Sequence, residues 1–282
     1  MPARSTGFPG SDAQDDFSRA RRRQARRRLG RRFERGGADV DLILPFDEVV
    51  AELGRTGEHD LGLERIELDS VVGTVDRDKG GFDRRFAPTT SRVRTRWERI
   101  AEAMRRGEPL PAISVYRVGE VHFVRDGHHR VSVARALGET HLDARVVEVS
   151  TRIGAERELT LADLPLKGHE RLFRERVPLP EADARRVVLS DPWRYGELAE
   201  GVEAWAFRVM QDRVELLGRA DAARVWFAEE FTPVVAMLRE AGLDAPGQSD
   251  ADAYLAVSCA RYRLSRTQEW TPEIIERLRR ER

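Results

Sequence analysis

The sequence predicts an α/β protein, with a small mixed-sheet domain over 63–150 and an all-helical carboxy-terminal domain over 192–282. Three observations predict it. From Glu64 to Val149, strand-like alternation and helix-like spacing succeed one another in the order β-α-β-β-α-β, the pattern of a small α/β layer. After Trp193 only helical spacing remains. Between them, Pro165, Pro178, Pro180 and Pro192 punctuate a charged stretch that reads as a linker with short elements over 151–191.

Each element follows from its residues. Ile66 and Leu68 alternate as in a strand, and Gly73-Thr74-Val75-Asp76-Arg77 turns away into the charged loop from Asp78 to Pro88. Val93, Trp97, Ile100, Ala101 and Met104 fall one helical turn apart between Ser91 and Arg106, and Gly107 stops that helix. Ile113–Val118 and Val121–Val124 form a hairpin across Gly119-Glu120. A short apolar helix closed by Gly138 precedes a last strand, Leu142–Val149. In the helical domain Leu198, Val202, Trp205 and Val209 share one stripe. Pro233 splits the next, Ser249-Asp250-Ala251-Asp252 caps a third helix and Thr271-Pro272-Glu273 a fourth.

The amino terminus reads differently. Residues 1–37 are predicted to be a disordered, Arg-rich arm, and 38–62 a short helix and linker, with Gly54 to Gly62 as the linker. Between Asp16 and Arg35 ten arginines stand against only Asp16 and Glu34, although the whole chain is neutral at 49 basic and 49 acidic residues. Arg21, Arg22, Arg23, Arg26, Arg27 and Arg28 are the candidate nucleic-acid contacts, on an arm that becomes helical against an anionic surface. Lys79 and Lys167 are the only lysines, so part of this block reflects an arginine preference of the entire chain. No apolar run approaches the length that spans a bilayer and no leader-like stretch opens the chain, so a cytoplasmic protein without membrane contact is expected. The one cysteine, Cys259, cannot close an internal disulfide.

The chemistry concentrates at Asp126-Gly127-His128-His129-Arg130, where a strand ends and a helix begins. The first amides of a helix lack intrahelical partners and its dipole favours negative charge there, so this turn attracts phosphate. Arg130 offers a bidentate guanidinium, and Gly127 lets a phosphate approach the backbone. His128 and His129 are candidate donors or acid–base groups; being adjacent, they diverge. His122 and His141 offer no standard zinc spacing, and Asp126 is the nearest candidate carboxylate for a metal ion carried by a phosphate ligand.

The segment from about Leu63 to Val149 resembles the ParB/sulfiredoxin-like superfamily. The resemblance rests on the strand and turn from Glu64 to Arg77, the amphipathic helix, the strand Leu110-Pro111-Ala112-Ile113-Ser114-Val115 and the Asp126–Arg130 motif. It covers roughly a third of the chain. At the motif's place, ParB partition proteins carry Gly-Glu-Arg-Arg and bind CTP, and sulfiredoxins carry Gly-Cys-His-Arg and bind ATP. Free serine kinases use ADP on a similar scaffold. The resemblance therefore implies a ParB-like, sulfiredoxin-fold domain binding ATP, ADP or CTP with magnesium. His128 stands where a sulfiredoxin has its nucleophilic cysteine, which excludes that thiol chemistry, and no helix-turn-helix follows Val149.

The resemblance also places Asp76 and Arg77 on the loop facing the motif, Asp76 as a base or magnesium-orienting group and Arg77 toward phosphate. Arg84, Arg85 and Arg92, with Thr89-Thr90-Ser91, are candidates to cover the nucleotide, and Glu67 or Asp69 an alternative base. The catalytic candidates are thus Asp76, His128 and His129. Three functions remain open: a nucleotide-binding protein that hydrolyses or transfers phosphate, a DNA-associated regulator switched by nucleotide, and a scaffold binding protein. A homodimer is compatible with each.

Overall fold

The computed structural model describes residues 6–31, 42–76, 81–243, 245, 247–265 and 270–280. The chain divides into two compact units, Met1–Pro165 and Leu166–Arg282.

The first unit is built on a six-stranded mixed sheet in the order β1-β3-β5-β4-β6-β2. Its elements in chain order are α1 (Pro9–Arg31), β1 (Leu44–Pro45), α2 (Phe46–Leu53), β2 (Arg55–Glu67), β3 (Val71–Thr74), α3 (Arg94–Arg105), β4 (Ile113–Val118), β5 (Val121–Asp126), α4 (His128–Leu137) and β6 (His141–Thr151). The pairs β1–β3, β3–β5 and β4–β6 are parallel, and β4–β5 and β2–β6 antiparallel. The α/β class holds, and β3-α3-β4-β5-α4-β6 has the expected β-α-β-β-α-β order, but its first strand is Val71–Thr74: Ile66 belongs to β2, Leu68 to a 3-10 turn, and Gly73-Thr74, expected as the turn, are in strand.

Both sheet faces are covered. Trp97, Ala101, Val131, Val133 and Ala134 pack with Ile113, Val115, Val124 and Val146 in one cluster. Phe46, Val49, Val50 and Leu53 pack with Val72, Val118, Phe123 and Val149 in another. Trp97 is fully buried and its indole N–H donates to Ser132 Oγ at 2.8 Å, which ties α3 to α4.

Three expectations are corrected. The amino-terminal arm is not disordered over the described residues 9–31: α1 is helical because Ala13 and Phe17 bury against the α3–α4 cluster, Phe17 meeting Trp97 edge-on with centroids 5.4 Å apart. Buried Asp12 and Asp16 pair with Arg105 of α3, so this end of α1 carries acid where it docks. The segment Gly54 to Gly62 is not a linker but most of edge strand β2. Its side chains are largely exposed and two register shifts interrupt it, so no alternating pattern marks it. The 151–191 linker is shared between cores. Ile153, Ala155, Leu159 and Leu164 are buried in the first unit, and Phe173, Val177, Val187 and Leu189 in the second.

Among the described residues the second unit is all helical. It comprises α5 (Leu164–Arg176), which begins at the boundary, α6 (Glu181–Ala184), α7 (Tyr195–Arg213), α8 (Arg219–Trp226), α9 (Thr232–Glu240), α10 (Asp250–Ser265) and α11 (Pro272–Arg280). A π-helical turn, Phe227–Phe231, joins α8 to α9 just before Pro233. Trp226, Phe231 and Tyr254 centre the core, with ring centroids 5.2 to 5.8 Å apart. Among the described residues no helix is long and apolar enough to cross a membrane.

Candidate functional site

The β5–α4 turn is forced by its glycine. Gly127 takes φ +108°, and a Cβ there would sit 2.5 Å from Ile113 Cγ2 and 2.9 Å from its Cβ. The lack of a Cβ at Gly127 is thus required by the packing of β4. Gly127 provides no side-chain cap, and the first helical bond of α4 runs from Val131 N–H to Gly127 O. The amides of His128, His129 and Arg130 precede it, so they head the helix without an intrahelical acceptor.

These residues line a pocket of about 160 Å³ together with Asp76, Phe82, Arg96, Ile100 and Asp126. Asp76, Asp126, Gly127, His128, His129 and Arg130 thus meet at one place. Arg77 lies outside the described residues. Arg84, Arg85 and Arg92 do not line the pocket; Arg84 donates to Arg157 O, and Glu67 pairs with Arg157 at 2.7 Å.

Within the pocket the roles differ from those expected. Arg130 donates from Nη1 to the carbonyls of Pro111 and Ala112, the latter at 2.8 Å, and from Nη2 to Asp126 Oδ2. Its side chain is only 12% exposed, so this guanidinium clamps the start of β4 to the start of α4. Asp126, 68% exposed, has one carboxylate oxygen engaged by that cation, and among the described residues no group of three or more His, Cys, Asp or Glu gathers to hold a metal ion.

Among the described residues that line the pocket, Arg96 carries the exposed cation. It projects from α3, one helical turn before Ile100, and makes no hydrogen bond or ion pair with a described residue. The sequence signal that singles out this position is slight. Arg96 flanks the Trp97 stripe on a helix rich in arginine, and only the approach of α3 to α4 separates it from its neighbours. Phe82 and Ile100, also missed, give the pocket an apolar wall.

The two histidines are held neutral. His128 Nε2 lies 2.6 Å from Thr74 Oγ1, which also accepts the Asp76 N–H at 2.9 Å. Burial lowers the His128 imidazole below its ordinary value; Asp76 and Asp126 oppose the shift and Arg96 adds to it. Burial, then Arg96 and His128, bring His129 down to about 4, and its ring meets Phe82 edge-on at 5.2 Å. Each ring thus offers one N–H and one lone pair near neutral pH, rather than a positive charge. His122, elsewhere in the sheet, bonds Ser70 Oγ through Nδ1 at 2.8 Å, is 7% exposed and is brought down to about 4 chiefly by burial.

Compared with protein-family models, with curated proteins and with solved structures, the chain finds no match in any of the three.

Proposed function

We propose that the first unit is a ParB/sulfiredoxin-like domain whose pocket at the head of α4 binds the phosphates of a nucleoside di- or triphosphate with magnesium. The convergence of Asp76, Asp126, Gly127, His128, His129 and Arg130 on one pocket carries this reading. The order β3-α3-β4-β5-α4-β6, with the pocket at the β5–α4 turn, supports the superfamily resemblance.

Size and chemistry narrow the occupant. At about 160 Å³ the pocket is smaller than the roughly 300–1,000 Å³ that encloses a drug-sized ligand, so it takes the phosphates and leaves sugar and base toward the rim. The α4 amides and Arg96 face the anion, the neutral imidazoles donate to it, and Phe82 and Ile100 exclude water on one side. Magnesium is commonly held by one or two carboxylates plus substrate phosphates, and Asp76 and Asp126 at the lip fit that pattern without a protein cage. Bound there, the ion supplies charge neutralisation and orientation. Asp76 and the His128 lone pair are the groups placed to accept a proton from an attacking water or hydroxyl.

The test is calorimetric titration of ATP, ADP and CTP with and without magnesium, with phosphate release followed in parallel. Magnesium-dependent binding that is weakened at least about tenfold in Arg96→Gln supports the reading. Absence of heat and of any thermal shift with all three nucleotides overturns it.

A further inference from the structure

We propose that the carboxy-terminal half of α1 is a preformed binding surface for duplex nucleic acid, separate from the pocket. α1 has two ends of different character. Its first half is clasped to the sheet unit by Asp12, Asp16, Ala13 and Phe17. From Arg22 to Gly30 the helix is exposed except for a half-buried Gln24. Arg21, Arg22, Arg23, Arg26, Arg27 and Arg28 form no hydrogen bond or ion pair with a described residue. Many arginines elsewhere are paired with carboxylates, Arg94 with Glu98 and Arg117 with Glu148 among them. No acidic residue occurs between Arg19 and Gly30.

The arrangement needs an external anion. Attraction to the helix dipole accounts for cations only in the last turn, and this block spans more than two turns. Eight residues from Arg21 to Arg28 occupy about 12 Å of helix, which gives one positive charge per about 2 Å. Duplex DNA presents one negative charge per about 1.7 Å, a close match in density. A membrane surface fits less well. Leu29 and Ala25 are the only apolar side chains among the exposed residues from Arg22 to Leu29, so there is no continuous apolar face to insert. Because the clasp holds α1 helical beforehand, binding does not have to order the segment.

The experiment is fluorescence anisotropy of a labelled mixed-sequence duplex against the full chain, titrated with salt. Six phosphate contacts give a log–log slope near −5, so affinity falls about 10³-fold from about 50 to about 200 mM salt. Replacing all six by glutamine (Arg21→Gln through Arg28→Gln at the arginine positions) should flatten the slope toward zero with unchanged far-UV circular dichroism. Arg96→Gln, which acts at the pocket, should leave the duplex slope as it is. A wild-type slope in the six-fold variant overturns the proposal. So does capture of the wild type by phosphatidylserine vesicles in preference to duplex.

Discussion

Arg96 and Arg130 lie at the same pocket and are expected to fail in opposite ways. Arg130 makes three hydrogen bonds, two of them to the carbonyls of exposed Pro111 and half-buried Ala112. Removing the guanidinium orphans those acceptors and the Asp126 carboxylate. With a net contribution of about 0.5–1.5 kcal/mol for each neutral-acceptor bond and about 1.5–3 for the charged one, less the discount for an exposed aspartate, the loss is about 2–4 kcal/mol. At about 2–4 °C per kcal/mol for a unit of this size, Arg130→Gln should lower the Tm by about 4–16 °C. Arg96 makes no hydrogen bond or ion pair with a described residue, so Arg96→Gln should stay within about 0.5 kcal/mol of wild-type stability. It should instead weaken nucleotide binding by the worth of one charge-assisted phosphate contact, about 1.5–3 kcal/mol, or about 10- to 150-fold in Kd. Differential scanning calorimetry and titration calorimetry on both variants decide the matter. An unchanged Tm in Arg130→Gln, or an unchanged Kd in Arg96→Gln, refutes the division of roles.

Gly127→Ala should cost about 2–5 kcal/mol, from a left-handed non-glycine residue plus a Cβ 2.5 Å from Ile113 Cγ2; urea midpoints measure it, and a shift below about 0.5 kcal/mol would falsify the packing argument. Stability should fall as pH drops from 6.5 toward 4. His122 and His129 titrate near 6.5 when unfolded and near 4 when folded, so the unfolded chain takes up protons first. The gap is worth at most about 3 kcal/mol for buried His122, and His122→Gln should flatten the profile in urea melts at several pH values. A phosphate beside His128 and His129 favours their charged forms, so nucleotide binding near pH 5 should be accompanied by proton uptake, read from binding heats in buffers of different ionisation enthalpy. Should phosphate release be detected, Asp76→Asn should lower kcat more than it raises KM; equal rates remove Asp76 from the chemistry.

How far the sequence was legible depends on where each signal lies. α3, α4 and the β4–β5 hairpin were readable because their apolar positions repeat with one period and glycines end them, as at Gly107, Gly119 and Gly138. β2 was not, because an edge strand exposed along most of its length needs no alternation. α1 was misread because Ala13 and Phe17 are too few to mark a stripe. What fixes the helix is the Asp12, Asp16 and Arg105 clasp, whose partner is nearly ninety residues away in the chain.

The sequence by itself determined the α/β succession, the all-helical second half and the cluster of chemistry-bearing residues at Asp126–Arg130, since each is local and periodic or a contiguous motif. Only the tertiary structure decided which of those residues are free to act. Arg130 was the stronger candidate by position, yet β4 carries Pro111 and Ala112 against it and turns it into a clamp. Arg96, unremarkable on its own helix, becomes the pocket's exposed cation because α3 packs on α4 through Trp97 and Ser132. A side chain's donors go to whatever acceptors folding brings within reach, and that is set by contacts between distant segments rather than by neighbours in sequence.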